Sequence, residues 1–476
     1  MNFDGILLRG LNRQQQLKAV MLSVWFFLTV ATLWILKPVR VASLLAHLGS
    51  TETPYVRLAG VATVAVVVML YSIAVNKLSR VAVVRWSSVI FGSLLVLFWT
   101  ALQIWGAALG GQRWFVWAVY ILVEIYSVTM IGIFWTYTND VVTEVESNKM
   151  YGLIGLGGIL GGVAGGAFVD GFARSIGPIH FLLVCAGLVG VTAGLGSMVE
   201  AVLKPPPRQT SKTDDEVKFK DGLEGAHEVA KSRYLQWLVA IVIAYEFTAT
   251  LTDFGVNVIF ERAFTSDVEL TKMYGRLGWI ASGTAVVAQL VLVPLLLPKK
   301  HIALLVPPVV MFGGAVATLV FPVVAAALVL SAADRGLNYS LQQAVKESLY
   351  VPLTDAQKYK SKAFIDMFVD RLAKAGAAFA LIALIQVWGA AVRPAIVVSL
   401  FSMLVWIAAA HRLGLRFRKA PPEQQKPTST SSGETGEGAA EASQVRPSSD
   451  VTVNTGLKGS FDNLPMVRPH TEKDAA

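Results

Sequence analysis

The chain has 476 residues, of which 54% are hydrophobic and only 15% charged, a composition too apolar for a soluble globular enzyme. Its formal charge of +9 raises the question of a nucleic-acid partner, but the basic residues scatter through short loops and helix ends with no stripe of interleaved aromatics, which argues against one. The single cysteine, Cys185, lies in an apolar segment and leaves neither a disulfide nor a thiolate metal site within one chain.

What remains is a polytopic membrane protein. Long runs of Ala, Val and Leu without ten-residue alternation favour an all-α bundle over an outer-membrane barrel. The start of the chain lacks a small-residue cleavage site after its first apolar run, so that run is expected to stay as the first spanning helix. Windows of about 20 apolar residues, enough to cross ~30 Å of hydrocarbon, fall near 18–47, 54–75, 81–108, 114–137, 150–172 and 178–202. Six more fall near 234–259, 275–298, 302–322, 324–349, 363–388 and 391–411. The division expected is a six-helix half over 1–203, a cytoplasmic linker over 204–233, a second six-helix half over 234–412 and a disordered tail over 413–476. The linker opens on PPPRQTSKTDDE, which cannot pack a core, and then reads as a surface helix ending in AHEVAKSRYLQ, while the tail keeps no hydrophobic period. The basic lead-in to the tail, Arg412 to Lys419, is placed against anionic headgroups. Nineteen Lys and Arg fall in segments on the side of the chain ends and eight on the other, which predicts a multi-pass protein of the bacterial inner membrane with both termini cytoplasmic.

The two halves are built alike. A shift of 211 positions sets Thr143 against Thr354, Glu144 against Asp355 and Lys149 against Lys360. In both halves these residues join the fourth helix to the fifth. A half-chain repeat about a central linker is the plan of the major facilitator architecture, in which two six-helix halves rock about a midplane site.

Ionisable residues inside the spans mark the candidate pathway, because each carries an insertion penalty of ~2.5 to 3.5 kcal/mol at the bilayer centre. Glu124 lies about 10 residues into its helix and Glu246 about 12, or ~15 to 18 Å deep. Both are expected to face a water-filled cavity. Asp253 lies seven residues beyond Glu246, on nearly the same face. The position equivalent to Glu124 in the second half is Arg335, so a site of mixed charge is expected. Helix 1 brings Lys37 and Arg40, with Pro38 between them and a kink expected there. Asp334 precedes Arg335, and Lys346 and Glu347 follow a few turns later. Neighbours in sequence point to different faces, so a separate counter-charge is expected for each of these. Tyr137, Thr138, Asn139, Asp140, Glu144, Glu146 and Lys149 form a polar cluster at the end of helix 4.

Two motifs have plainer readings. Gly157, Gly161 and Gly165, echoed by Gly158, Gly162 and Gly166, do not fit G-x-G-x-x-G and follow no strand; their four-residue spacing lets helix 5 approach a neighbour closely. No G-x-x-x-x-G-K-[ST] occurs, so any nucleotide is cargo rather than fuel. Trp34, Trp135 and Tyr137 could stack on a purine but read more readily as anchors at the membrane interface. No histidine has a metal-ligand partner at helical spacing.

Three segments carry a resemblance. FWTYTNDVVTEVESNKMYGLIGLGG, VKESLYVPLTDAQKYKSKAFIDMFVDRLAKAGAA and AKSRYLQWLVAIVIAYEF resemble, in the right order across both halves, segments of the ATP/ADP translocase family of plastids and intracellular bacteria. The resemblance implies nucleotide exchange or uptake, with charged residues of helices 1, 4, 7 and 10 engaging the substrate. By position these are Arg40, Glu124, Glu246 and Lys346. The chain departs from the family in keeping only the basic members of the charged run around Lys37 and Arg40, and in having Val345 before Lys346-Glu347.

The reading is a transporter, not an enzyme, moving a nucleotide or related phosphorylated anion by alternating access. Its predicted substrate-binding set is Lys37, Arg40, Glu124, Asn139, Asp140, Glu246, Arg335, Lys346 and Glu347, with no catalytic residue, metal or cofactor. Its partners are the anionic substrate and the lipid bilayer, and the oligomeric state is left open. Two rivals are a proton-coupled carrier of another organic anion and a non-transporting receptor or scaffold.

Overall fold

The computed structural model describes residues 12–203 and 225–419. The start of the chain, the linker run from 204 to 224 and the tail from 420 on lie outside the described residues, and with them most of the expected disorder; residues 413–419, assigned to the tail, instead continue the last helix to Lys419. Helices α1 (Arg13–His47), α2 (Thr53–Lys77), α3 (Arg80–Leu109), α4 (Arg113–Val141), α5 (Glu144–Ile176) and α6 (His180–Leu203) make the first half. Helices α7 (Arg233–Ala263), α8 (Asp267–Leu296), α9 (Lys300–Val320), α10 (324–349), α11 (355–388) and α12 (Val392–Lys419) make the second. No strand occurs among the described residues. Every pass therefore satisfies its backbone within itself, as a lipid solvent demands.

Eleven of these passes are long and apolar enough to span a membrane. The twelfth, α10, carries Asp334, Arg335, Lys346 and Glu347 and a π-helical turn over Asn338–Gln342. It is packed among α7, α8 and α9 rather than exposed along its length. α8 and α11 carry similar π turns at Ala288–Leu292 and Ile365–Val369, so all three such segments among the described residues fall in the second half.

Helix ends follow from local chemistry. Asn12 and Gln15 close a capping box at the start of α1, and Thr143 with Glu146 does the same for α5, each pair satisfying otherwise orphaned amides. Thr354, the repeat mate of Thr143, is likewise an N-cap residue, at the start of α11. Glu146 also accepts from Lys18 Nζ at 2.9 Å, which ties the starts of α1 and α5 together. Pro38 leaves α1 unbroken. The chain near residues 12, 78, 142, 203, 298 and 352 defines one face, called here the terminal face; the turns near 50, 111, 178, 265, 322 and 390 define the opposite face.

Buried apolar side chains gather in two main clusters, one drawn from α1 and α3–α6 and the other mainly from α7–α12. Ala42 and Leu45 of α1 belong to the second cluster, because the halves meet near the opposite face. A helical segment over 225–231 places Val229 in that second core, and Gln357 Nε2 donates to Glu228 Oε2 at 3.3 Å.

The glycine series does what its spacing predicts. A Cβ on Gly157 would stand 2.6 Å from the Ser23 carbonyl oxygen, and one on Gly165 would stand 2.5 Å from that of Ala31. Helix α5 thus lies against the α1 backbone. In the second series Gly158 lies against Phe26 of α1, while the other two reach the second half: a Cβ on Gly166 would meet Trp279 N at 2.5 Å, and Gly162 lies against Ser282 and Trp34.

Replacing Gly165 by Leu sets side-chain atoms against backbone that cannot yield, an overpacking of about 1–3 kcal/mol or more. The expected outcome is a lower melting temperature and less monodisperse protein in detergent. Gly171→Ala, with nothing within 4 Å of the added carbon, is expected to match or exceed the wild type.

Candidate substrate-binding site

A cavity of about 440 Å³ lies between the halves, within the ~300–1,000 Å³ of small-molecule sites. Six basic side chains line it, Lys37, Arg40, Arg57, Arg335, Arg371 and Lys374, against five acids, Glu124, Glu246, Asp253, Asp334 and Asp370. They come from α1, α2, α4, α7, α10 and α11. Each sits within a membrane pass, where the cavity and the other charges supply the polar surroundings.

Most of them are paired. Arg40 Nη1 donates to Glu124 Oε2, while its guanidinium lies 4.5 Å from the Tyr120 ring centroid. Asp253 takes two arginines, Arg57 of the first half on Oδ2 and Arg335 of its own half on Oδ1, the latter at 2.9 Å. Lys374 Nζ lies 2.7 Å from Asp370 Oδ2 and 3.9 Å from Glu246 Oε1. Two cations have no carboxylate partner among the described residues. Lys37 instead places Nζ 4.8 Å from the Trp34 ring centroid, and Arg371 forms no ion pair. Glu124 and Lys374 expose 37% and 47% of their side chains, which for groups at mid-depth requires a wide, wettable space beside them.

Contacts beyond the cavity shut the opposite face. Arg276 Nε pairs with Asp170 Oδ2 at 3.2 Å, Trp279 Nε1 donates to the same oxygen at 3.0 Å, and Arg174 meets Glu269 at 2.8 Å. The Ser50 amide donates to Glu261 Oε2 at 2.9 Å. Each of these joins the first half to the second.

Of the predicted set, Lys37, Arg40, Glu124, Glu246 and Arg335 line the cavity. Lys346 lines a smaller chamber of about 220 Å³ that shares Tyr245, Glu246, Asn338, Asp370 and Lys374 with it. Its Nζ is held by Asp366 at 2.7 Å, and Glu347 is held by Lys362 at 2.6 Å, so these sequence neighbours have separate partners. Asn139 and Asp140 lie at the terminal-face end of α4, where Asn139 accepts from Tyr151 at 2.7 Å and Asp140 pairs with Arg80 at 3.1 Å. The anchor reading of Trp34 and Tyr137 is corrected. Trp34 is 6% and Tyr137 2% exposed; the indole fills space that Gly162, Gly165 and Gly278 leave open, and the phenol donates to Glu200 at 2.6 Å. Arg57, Asp370, Arg371 and Lys374 were missed. The last three fall within a predicted helix, but Asp370 and Lys374 at i, i+4 have the spacing of a surface pair.

Two six-helix halves about a charged central cavity define a polytopic helical membrane protein of major-facilitator-like architecture. Solved structures agree. A bacterial homologue of the iron transporter ferroportin in an inward-facing state aligns with TM-score 0.57 and 13% identity over 84% of this chain and 99% of that one. A nucleoside transporter aligns with TM-score 0.54 and 14% identity over 84% and 99%. The sequence profile of the TLC ATP/ADP transporter family matches residues 7–417, and the chain belongs to that family. Among its relatives, the chloroplastic ADP,ATP carrier protein 2 of Arabidopsis thaliana is 25% identical over 342 residues, 64% of this chain and 55% of that protein. ADP,ATP carrier protein 1 of Chlamydia pneumoniae is 25% identical over 358 residues, 64% of this chain and 68% of that one. The match thus spans little more than half the length of the plant carrier.

Asp253→Asn strips two arginines of their shared counter-charge, a loss of about 3 kcal/mol or more for a desolvated network. Arg276→Gln breaks a pair whose arginine is 45% exposed and is expected to remain within about 1 kcal/mol. Melting temperatures of the two purified variants test this ordering.

Proposed function

We propose that this protein carries nucleotides, ATP and ADP first among them, across a bacterial inner membrane by alternating access, with both chain ends in the cytoplasm. The observation that carries the reading is the cavity between the halves, in which Lys37 and Arg371 stand without carboxylate partners. Family membership and the names of the relatives favour a nucleotide as the anion that completes them. The excess of Lys and Arg on the terminal face supports the orientation.

On this reading the phosphates dock first on Lys37 and Arg371. Arg40 and Lys374 join by exchanging a carboxylate for a phosphate oxygen, since an arginine fork suits either anion. Glu124 and Glu246 hold those cations while the cavity is empty and repel an anion that cannot displace them. Lys346, in the adjoining chamber, is the next cation along the route toward the terminal face. Opening the opposite face requires Arg57 to leave Asp253 and the Asp170 and Glu269 contacts to part. A substrate drives that change only so far as it binds the two states with different affinity.

The test is uptake of labelled ATP and ADP by cells or vesicles carrying the protein. Lys37→Ala and Arg371→Ala each remove a charge-assisted contact of about 1.5–3 kcal/mol, so apparent affinity is expected to fall roughly 10- to 100-fold. Absence of any nucleotide uptake or exchange by the wild type refutes the substrate assignment.

A further inference from the structure

Among the charged residues of the cavity, Asp334 has the least support. Its Oδ1 is sealed from solvent and has no hydrogen-bond partner, and Asp334 forms no ion pair with a described residue. The cation beside it in sequence, Arg335, turns Nη2 to Asp253 Oδ1 at 2.9 Å, and Arg57 takes the other oxygen of Asp253. Asp253 therefore uses both arginines within reach.

The remaining surroundings add no positive charge. From α7, Tyr245, Glu246 and Asp253 face the group. From α8 the titratable neighbour is Tyr274, whose hydroxyl is donated to Asn257. The part of α9 packed on α10, Val306–Val320, holds no titratable residue. An ionised carboxylate here has no donor on Oδ1, the nearest cation, Arg335, is already engaged by Asp253, and the like charges of Asp253 and Glu246 oppose ionisation.

We propose that Asp334 is a proton-binding site: its carboxyl group is neutral while the opposite face is shut, and it releases the proton to water when that face opens. The carboxylate takes H⁺ from hydronium to give the acid and a water molecule, and the reverse step returns it; no electron moves. Opening withdraws Arg57 with the first half, leaves Asp253 with Arg335, and admits water from the opposite side to the sealed Oδ1 of Asp334, whose hydrated anion is then stable. The conformational cycle thereby moves a proton together with, or against, the anion. This extends the proposed function, but its readout requires no transported substrate.

Infrared difference spectroscopy on the full chain in lipid vesicles reads the protonated carboxyl stretch directly. A band present at neutral pH in the wild type is expected to be lost in Asp334→Asn and kept in Glu246→Gln. Because Asn mimics the neutral acid in shape, Asp334→Asn should fold with an unchanged melting temperature. Lack of any Asp334-dependent band between pH 6 and pH 8 overturns the proposal, as does a band abolished by exchanging potassium for sodium. A second arm uses vesicles loaded with a pH dye and given external ADP: proton flux in the wild type and none in Asp334→Asn supports coupling, and ADP movement with no Asp334-dependent flux overturns it. If ADP does not move at all, the nucleotide reading fails while the infrared band still decides the proton site.

Discussion

The arrangement turns on one carboxylate held by two arginines. Asp253 on α7 accepts Arg335 from its own half and Arg57 from the other, at a depth where an unmatched charge of either sign is strongly disfavoured. That constraint fixes the approach of α2 to α7 and thereby the position of the cavity floor. It also occupies the cations that would otherwise serve Asp334. Because Arg57 is the member that crosses between halves, the same contact both stabilises the closed face and marks where it must open.

Rigidity elsewhere makes a localised opening possible. α1 and α5 are joined along the backbone by Gly157, Gly161 and Gly165, and by Lys18 with Glu146 at the terminal-face end. Small residues allow this close approach in a medium that supplies no hydrophobic drive between helices. Across the halves, ion pairs and single hydrogen bonds stand beside a close backbone approach of α5 to α8, where Gly166 lies against Trp279 and Gly275 against Asp170. The polar pairs can be exchanged for water or for another anion as the halves rock, while α5 and α8 must part along their glycines.

Much of this was legible in the sequence. Glu124, Glu246 and Arg335 announced themselves as charges in apolar helices, and the helix 5 glycines by their spacing. The 211-residue repeat placed Thr143 and Thr354 at equivalent helix starts. Arg57 escaped notice because a basic residue four positions into a helix looks like a headgroup anchor; only the partner helix reveals that it points inward. Lys374 with Asp370 has the spacing of an ordinary surface pair, so its place in the cavity depends on the packing of α11 across from α2. Trp34 was misread for a related reason: its identity suits the membrane interface, but three glycines from two other helices provide an interior slot. Pairing partners such as Asp366 for Lys346 are set by tertiary approach and have no local signature.

The most direct test of a nucleotide seat between the halves is photolabelling of the purified protein with an azido-adenine nucleotide, followed by peptide mapping. The account predicts light-dependent label on α1 between Trp34 and Val41 or on α10 between Asp334 and Lys346, suppressed by excess ADP. Label confined to the terminal face, or label that ADP does not displace, would contradict it.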